Sequence, residues 1–165
     1  MVALVFMGVS GCGKSSAAAA VADRLGLKLM EGDDYHPASN IARMRSGQAL
    51  TDADRADWLS TLGDLLLQHQ QLGVVMTCSA LKRAYRQKLR AYAPDLQFVF
   101  MDLSHDAALH RVQGRGASHF MPTSLVQSQF ATLESPLGEF GVLQVDATLP
   151  MDAIMQSVVE WLQCA

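Results

Sequence analysis

The residues best suited to chemistry lie near the start of the chain, where glycines and a Lys-Ser pair follow an apolar run. Residues 8–15 read Gly-Val-Ser-Gly-Cys-Gly-Lys-Ser, which is the GxxxxGK[ST] pattern of a phosphate-binding loop. Gly8 and Gly13 lack a Cβ, so the backbone there can take positive φ and turn its N–H groups toward an anion. Lys14 adds a mobile cation for the outer phosphates, and the hydroxyl of Ser15 can ligate Mg²⁺. The pattern predicts phosphate binding, but it does not identify the group that receives a phosphate.

The elements that position this loop follow from the sequence around it. An apolar run precedes the loop, and an Ala-rich amphipathic pattern follows it and ends at Gly26. We expect a buried strand, the loop, and a helix whose N-terminus faces the phosphates. Further along, apolar runs alternate with helical patterns, as in a parallel sheet covered on both faces. The predicted strands are 2–7, 27–30, 73–78, 96–103 and 142–145, and the predicted helices are 14–25, 51–71, 79–90, 104–111, 123–134 and 152–162.

Length and composition limit the class of protein. With 165 residues, 50% of them hydrophobic, the chain can bury one core, and we expect a single α/β domain over residues 1–165. The formal net charge of −3 argues against a nucleic-acid partner, which needs an excess of cations. The first apolar run is too short to cross a bilayer, so we expect no membrane association. The cysteines are three in number and far apart, which suits reduced thiols in the cytoplasm.

Acidic residues follow the second predicted strand. Residues 31–37 read Glu-Gly-Asp-Asp-Tyr-His-Pro, and ligands bind at the carboxyl ends of strands in such a sheet. The carboxylate of Asp33 could accept the proton of a hydroxyl that attacks a phosphate, and it could help to order Mg²⁺ through water. The structural alternative is that Asp33 or Asp34 caps a helix that begins near Pro37.

The polar segment 36–58 interrupts the alternation of strands and helices. Arg43 and Arg55 offer guanidinium groups for a carboxylate, and the many polar side chains around them suit hydroxyl groups. The segment therefore indicates a hydrophilic, anionic phosphate acceptor. The alternative is that these arginines lie on a solvated helix surface without a binding role.

Two hydroxyl residues are predicted helix caps. Thr51 precedes the helix 51–71 and Ser79 precedes the helix 79–90. The first turn of the second helix would open at the carboxyl edge of the sheet. Ser79 and Lys82 could therefore contact the acceptor or the transferred phosphate.

A Gly-rich connection follows the helix that ends at Arg111. Residues 113–122 contain Arg115 between two glycines. Together with Arg111, this arginine suits a lid that closes over the phosphates, excludes water and neutralises developing charge. The alternative is a surface loop whose arginines have no function.

These residues together resemble the gluconokinases, which are small P-loop kinases related to shikimate kinase and the nucleoside monophosphate kinases. The phosphate loop alone occurs in many enzymes, whereas its combination with CSALK at 78–82 and HFM at 119–121 is specific. The matching residues cover most of the chain: 8–15, 31–37, Asn40, Met44, Gly47, 50–55, Trp58, Leu59, 78–82, Tyr85, Arg86, Leu89, Arg90, 119–121, Ser128, Gln129 and 132–134.

The resemblance implies a fold and an activity. The fold would be the three-layer αβα sandwich of the P-loop NTPases, with a five-stranded parallel sheet, an acceptor-binding insert at about 35–60 and a lid at about 111–125. The activity would be transfer of a phosphate from ATP to the 6-hydroxyl of D-gluconate, giving 6-phosphogluconate and ADP, with Mg²⁺ required. Relatives are commonly dimers, so a homodimer is compatible with the resemblance.

The resemblance also assigns roles to individual residues. The catalytic residues would be Lys14, Asp33 as the base, and the lid cations Arg111 and Arg115. The nucleotide-binding residues would be Gly8, Val9, Ser10, Gly11, Cys12, Gly13, Lys14, Ser15 and Ser16, with Ser15 as the metal ligand. The gluconate-binding residues would be Asp33, His36, Arg43, Arg55, Ser79, Lys82 and Arg86. The stretch from Arg115 to His119 is a residue longer than the family pattern, so contact with the γ-phosphate is assigned to the pair of lid arginines.

Other functions stay open at this point. A kinase for shikimate, a nucleoside monophosphate or another polyol acid would share the loop, although the polar segment 36–58 argues against a nucleobase pocket. A nucleotide-dependent switch would hydrolyse ATP or GTP without an acceptor. A binding module that has lost catalysis would keep the fold, but the intact Lys14, Ser15 and Asp33 argue against it.

Overall fold

A parallel β-sheet forms the centre of the protein. The computed structural model describes residues 2–114 and 124–164. The strands are β1 (Ala3–Met7), β2 (Lys28–Glu31), β3 (Val74–Thr77), β4 (Gln97–Asp102) and β5 (Val142–Asp146). The helices are α1 (Lys14–Leu25), α2 (Ala38–Arg45), α3 (Asp52–His69), α4 (Arg83–Tyr92), α5 (His105–Gly114), α6 (Ser124–Thr132) and α7 (Met151–Cys164), with a 3-10 turn at Gly32–Tyr35. The five strands lie in the order β2-β3-β1-β4-β5, and every pairing is parallel.

The core lies on both faces of this sheet. Leu4 and Phe6 of β1 belong to the cluster that includes α1, α5 and α7, whereas Val5 and Met7 belong to the cluster that includes α3 and α4. All four side chains are fully buried, which explains why a central parallel strand is apolar without alternation. The predicted three-layer αβα fold is confirmed.

Most predicted elements are present, with small shifts at their ends. Helix α1 has the predicted bounds and ends at Gly26, whose φ of 64° is the left-handed conformation of a C-terminal stop. Helix α3 is capped by Thr51, as predicted. The Thr51 hydroxyl accepts the backbone N–H of Asp54, and the Asp54 carboxylate accepts the backbone N–H of Thr51. This reciprocal capping box fixes the start of the helix.

The segment between β3 and α4 differs from the prediction. Helix α4 begins at Arg83, so Ser79 does not cap it. Ala80 has a φ of 44° and is the only non-glycine residue with positive φ in the described ranges. This left-handed conformation, which costs about 1–2 kcal/mol, cannot continue a helix. The Arg83 N–H instead donates to the Glu134 carboxylate at 2.7 Å.

The carboxyl ends of three strands meet at one edge of the sheet. In the parallel register, Thr77 of β3 pairs with Phe6 of β1 on one side and with Glu31 of β2 on the other. The loop after β1 therefore lies beside the ends of β2 and β3. From β1 the chain connects toward β2 on one side of the sheet, whereas from the adjacent β3 it connects toward β4 on the other side. Ligands bind at such a switch point.

Two further observations bear on the environment of the protein. All three cysteines are free thiols, with Cys12 and Cys78 buried and Cys164 exposed. Burial raises the pKa of the Cys78 thiol to about 12, so this sulfur is unreactive.

Within the described ranges, no helix combines the length and the apolar character needed to cross a bilayer.

Candidate active site

The loop between β1 and α1 has the backbone that the glycine spacing predicted. The φ angles are 136° at Gly8 and 92° at Gly13, in the region that favours glycine. A Cβ at Gly8 would lie 2.8 Å from the carbonyl oxygen of Met101. No side chain caps the start of α1 at Lys14, so the N–H groups of its first turn are available to an anion. The loop and the helix N-terminus together form a phosphate cradle.

Two cations lie against this cradle. The Lys14 Nζ donates to a carbonyl of the loop at 3.0 Å, so the ammonium folds back across the loop. The Arg111 guanidinium on α5 donates to the carbonyl of Cys12 at 3.5 Å and to the carbonyl of Ala147 at 2.9 Å. The structure therefore brings the predicted Arg111 to the phosphate loop. The second predicted lid cation, Arg115, lies outside the described residues.

A carboxylate and two hydroxyls meet at the start of α1. The hydroxyls of Ser15 and Thr77 donate to the same carboxylate oxygen of Glu31, at 2.9 Å and 2.6 Å. Such oxygens are the ligands that Mg²⁺ prefers, and at phosphate sites the ion takes few of them from the protein. Ser15 and Glu31 therefore fit Mg²⁺. Among the described residues, no group of three or more His, Cys, Asp and Glu side chains is arranged to hold a metal ion.

A small cleft beside the cradle gathers side chains that are distant in the sequence. The structure brings together six predicted site residues, namely Ser10, Lys14, Asp33, His36, Arg55 and Ser79. The rest of the lining is Met44, Leu50 and Gln129. A hydrophilic acceptor in this cleft would lie next to the phosphate loop.

Asp33 and His36 form a pair in the cleft. The Nε2 of His36 lies 3.9 Å from the Asp33 carboxylate, and the two side chains are 4% and 51% exposed. The imidazole stacks on Trp58 with a centroid separation of 4.0 Å, and its Nδ1 hydrogen-bonds the Asn40 amide at 3.3 Å. Asp33 does not cap α2, because Pro37 holds the N-cap position without a side-chain cap. The pair thus joins an accessible carboxylate to a fixed, buried ring.

Two predicted acceptor contacts are engaged in ion pairs outside the cleft lining. Arg43 lies 2.8 Å from the carboxylate of Asp54, and Lys82 lies 2.8 Å from the carboxylate of Asp52. The hydrogen bond from Lys82 is the main cause of a lowered pKa at Asp52. Partly exposed ion pairs of this kind are weak. Arg43 and Lys82 can therefore leave their carboxylate partners at little cost in free energy.

Arg86 is buried in the fold and does not line the cleft. Its side chain is 0% exposed and lies 2.6 Å from the carboxylate of Glu139. It also donates to the carbonyls of Ala80 at 2.8 Å and Glu134 at 3.1 Å. Burial is the largest single effect and opposes ionisation of Glu139, but the hydrogen bonds and charges of Arg86 and Arg90 together outweigh it and lower the pKa of this carboxyl. The expectation that Arg86 binds the acceptor has no support in this geometry, and the residue instead stabilises the strained turn that presents Ser79.

Glu31, Thr77 and Gln129 make polar contacts at the site, although the sequence assigned them no role. Glu31 and Thr77 end neighbouring strands, and their position at the sheet edge was the available signal. Gln129 accepts the backbone N–H of Ser10, from which it is 119 residues distant. No local spacing in the sequence indicates that contact.

The parallel sheet, the phosphate loop after β1 and the adjoining cleft define a P-loop kinase, a class of enzyme that uses ATP. The family model described as AAA domain matches residues 4–138. A gluconokinase of Gluconobacter oxydans is 44% identical over 97% of this chain and 90% of that protein. The chain belongs to the gluconokinase family.

Solved structures agree with this assignment. A gluconokinase from Sinorhizobium meliloti has a TM-score of 0.85 at 43% identity, covering 98% of this chain and 95% of that one. A sugar kinase from a Janibacter species has a TM-score of 0.93 at 38% identity, covering 100% of this chain and 96% of that one. Both likenesses extend over nearly the whole chain.

The buried His36 ring should make stability depend on pH. Burial lowers its pKa below the ordinary value of 6.5, the Asp33 carboxylate opposes this shift, and Arg55 adds to it. Below about pH 6.5 the His36 side chain therefore binds a proton more readily in the unfolded chain than in the folded chain. As a result, the free energy of unfolding falls as the pH falls. His36→Gln should flatten this dependence in urea unfolding followed between pH 7.5 and 5. The exposed His105 supplies the control His105→Gln, and an unchanged slope in His36→Gln would contradict the account.

Removal of the Arg86 guanidinium should destabilise the fold strongly. Arg86→Met leaves the part-buried Glu139 carboxylate with Arg90 as its remaining cation and leaves the buried carbonyl of Ala80 without its donor, which typically costs about 1–3 kcal/mol. Arg83→Met, at an exposed position on the same helix, should change the free energy of unfolding by less than about 0.5 kcal/mol. Chemical denaturation of both variants measures the difference. A loss below about 1 kcal/mol in Arg86→Met would show that the buried pair does not stabilise the turn.

Proposed function

We propose that this chain transfers the terminal phosphoryl group of ATP to the 6-hydroxyl of D-gluconate, giving 6-phospho-D-gluconate and ADP. The observation that carries the proposal is the cleft in which Asp33 and Arg55 lie beside Lys14. The 44% identical relative from Gluconobacter oxydans is a gluconokinase by name, which supports gluconate over the alternative acceptor, shikimate.

On the donor side, residues 8–16 supply the binding groups. The backbone N–H groups of the loop and of the first turn of α1 bind phosphate oxygens. The Lys14 ammonium exchanges its loop carbonyl for the outer phosphates, and Arg111 adds a second positive charge beside the loop. These groups hold the γ-phosphoryl group and the departing ADP in place and neutralise their charge.

On the acceptor side, Asp33 is the proposed base. As the hydroxyl oxygen of gluconate forms its bond to the γ-phosphorus, the bond from that phosphorus to ADP breaks and the hydroxyl proton passes to Asp33. His36 limits the positions that the Asp33 carboxylate can take. Arg55 and Ser79 bind the carboxylate and hydroxyls of gluconate. The guanidinium uses one N–H on the carbonyl of Leu50, and a guanidinium has five such donors.

Arg43 and Lys82 are bound to carboxylates outside the cleft lining. Arg43 and Lys82 reach gluconate only by leaving Asp54 and Asp52, so we place them at the rim of the site. Arg86 is left out of the proposal because its guanidinium is enclosed.

Ser15 and Glu31 are the residues that would hold the Mg²⁺ that P-loop kinases generally use. When bound, the ion supplies positive charge to the phosphates. The hydrogen bond from Ser15 to Glu31 holds the two oxygens 2.9 Å apart. Thr77, which bonds the same carboxylate, fixes the Glu31 side chain from the neighbouring strand.

The proposal extends to organisation and location. We propose one kinase domain over residues 1–165, with an acceptor-binding insert at about 35–60 and a lid at about 111–125. Met44, Leu50 and Leu125 form a small separate hydrophobic cluster, which supports an insert packed against α6. Free thiols support a cytoplasmic location. A homodimer rests on the family resemblance alone.

Acceptor choice should distinguish this function from related ones. In a coupled assay of ADP release, D-gluconate should give a kcat/KM at least about 10²-fold higher than shikimate, AMP or 5-keto-gluconate. The reason is that a site built for several hydroxyls and a carboxylate leaves polar groups unpaired with a poorer match. Equal ADP release without any acceptor would point to a hydrolytic switch and contradict the proposal.

Loss of the proposed base should depress turnover more than binding. Asp33→Asn keeps the size of the side chain but cannot accept the proton, so kcat should fall by about 10²–10⁴ while the KM for ATP changes by less than about threefold. The adjacent Asp34 is exposed and does not line the cleft, so Asp34→Asn is the matched control. A kcat within about threefold of wild type in Asp33→Asn would rule out the base role.

A further inference from the structure

Gln129 links helix α6 to the phosphate loop. Its side-chain oxygen Oε1 accepts the backbone N–H of Ser10 at 2.5 Å. The residue is 8% exposed, and its side chain belongs to the lining of the cleft that contains Asp33, Arg55 and Ser79. None of the roles described so far uses this carboxamide.

The chemistry of a carboxamide suits this position. It can accept through its oxygen and donate through its NH₂ group at the same time. Because it is neutral, it adds no repulsion toward phosphates, as a carboxylate would. The hydrogen bond from the Ser10 N–H fixes the side-chain oxygen of Gln129. Because the carboxamide is planar, the position of its nitrogen is then restricted as well. The nitrogen is thereby held at the junction of the phosphate loop and the acceptor cleft.

Packing of α6 does not depend on this hydrogen bond. Val126 is fully buried in the main core cluster, and Leu125 is buried against Met44 and Leu50. The backbone of the following residues is tied to the segment after β3 by the bond from the Glu134 N–H to the Leu81 carbonyl. The helix thus has independent anchors, and the polar contact of Gln129 calls for another explanation.

We propose that Gln129 is a further catalytic residue whose side-chain NH₂ group donates a hydrogen bond to a non-bridging oxygen of the phosphoryl group during transfer. This inference rests on the proposed function. The bond from the gluconate hydroxyl oxygen to phosphorus forms, the bond from phosphorus to ADP breaks, and the hydroxyl proton goes to Asp33. Gln129 exchanges no proton, and its hydrogen bond stabilises the equatorial charge of the transition state.

The discriminating variant is Gln129→Glu. The carboxylate keeps an oxygen that can accept the Ser10 N–H but has no NH₂ group. If Gln129 acts as a donor, kcat with gluconate should fall by about 10²-fold, as when one donor to a developing charge is removed. The Tm and the KM for gluconate should stay close to the wild-type values. Gln129→Met, which removes both functions, should lose at least as much in kcat.

The matched control is Gln127→Glu on the exposed face of the same helix. It introduces the same charge without touching the cleft, so its kinetics should equal those of wild type. If Gln129 only anchors α6, Gln129→Glu will keep a kcat within about threefold of wild type while Gln129→Met loses stability, and that result overturns the inference. A loss of kcat/KM that comes wholly from a raised KM for ATP, with kcat unchanged, would overturn it as well, because it would indicate repulsion of the bound nucleotide in the ground state.

Failure of the proposed function would look different. It would appear in the wild-type enzyme itself, as ADP release that does not depend on gluconate. Failure of the inference about Gln129 would appear only in the variants, with gluconate-dependent turnover in the wild type intact.

Discussion

The site depends on backbone N–H groups that point inward from the phosphate loop. That arrangement requires positive φ at Gly8 and Gly13, and only a residue without a Cβ adopts such angles at little cost. Close packing enforces the same choice, since a Cβ on Gly8 would meet the Met101 carbonyl at 2.8 Å. The loop is also tied to the acceptor side, because the Gly8 N–H donates to the carbonyl of Ser79 at 3.3 Å. A shift of the cradle would therefore move the acceptor cleft with it.

The turn that carries Asp33 is packed as closely as the phosphate loop. Gly32 lies between Glu31 and Asp33, and a Cβ there would lie 2.1 Å from the carbonyl oxygen of Thr77. The carbonyl of Gly32 accepts the indole N–H of Trp58 at 2.8 Å. The same indole stacks on His36, so one aromatic side chain holds both ends of the turn that carries Asp33. Asp33, the proposed base, is thus placed by backbone packing and stacking rather than by strong charge pairing.

Short sequence motifs predicted those parts of the structure whose conformation depends on neighbouring residues. The phosphate loop, α1 and the Thr51 cap follow from spacing and residue type, and the structure has them where the sequence indicated. The prediction that Ser79 caps α4 was wrong because Ala80 takes a left-handed conformation. Bonds from Arg86 stabilise this conformation, which cannot be read from neighbouring residues. Arg86 was assigned to the acceptor by the family resemblance, and its burial was not expected because a charged residue is rarely buried. Its partner Glu139 is distant in the sequence, and so is the Ser10 contact of Gln129. Such pairs arise from topology, which the spacing of single motifs does not specify.

The central claim is that the cradle and Asp33 approach one hydroxyl of the acceptor from opposite sides. The most direct measurement is a crystal structure with a non-hydrolysable ATP analogue and D-gluconate bound together. The account predicts that the triphosphate lies on the N–H groups of the loop and that an Asp33 carboxylate oxygen lies about 2.6–3.2 Å from the 6-hydroxyl oxygen. Gluconate bound with its 6-hydroxyl out of reach of Asp33, while the analogue occupies the loop, would contradict the account.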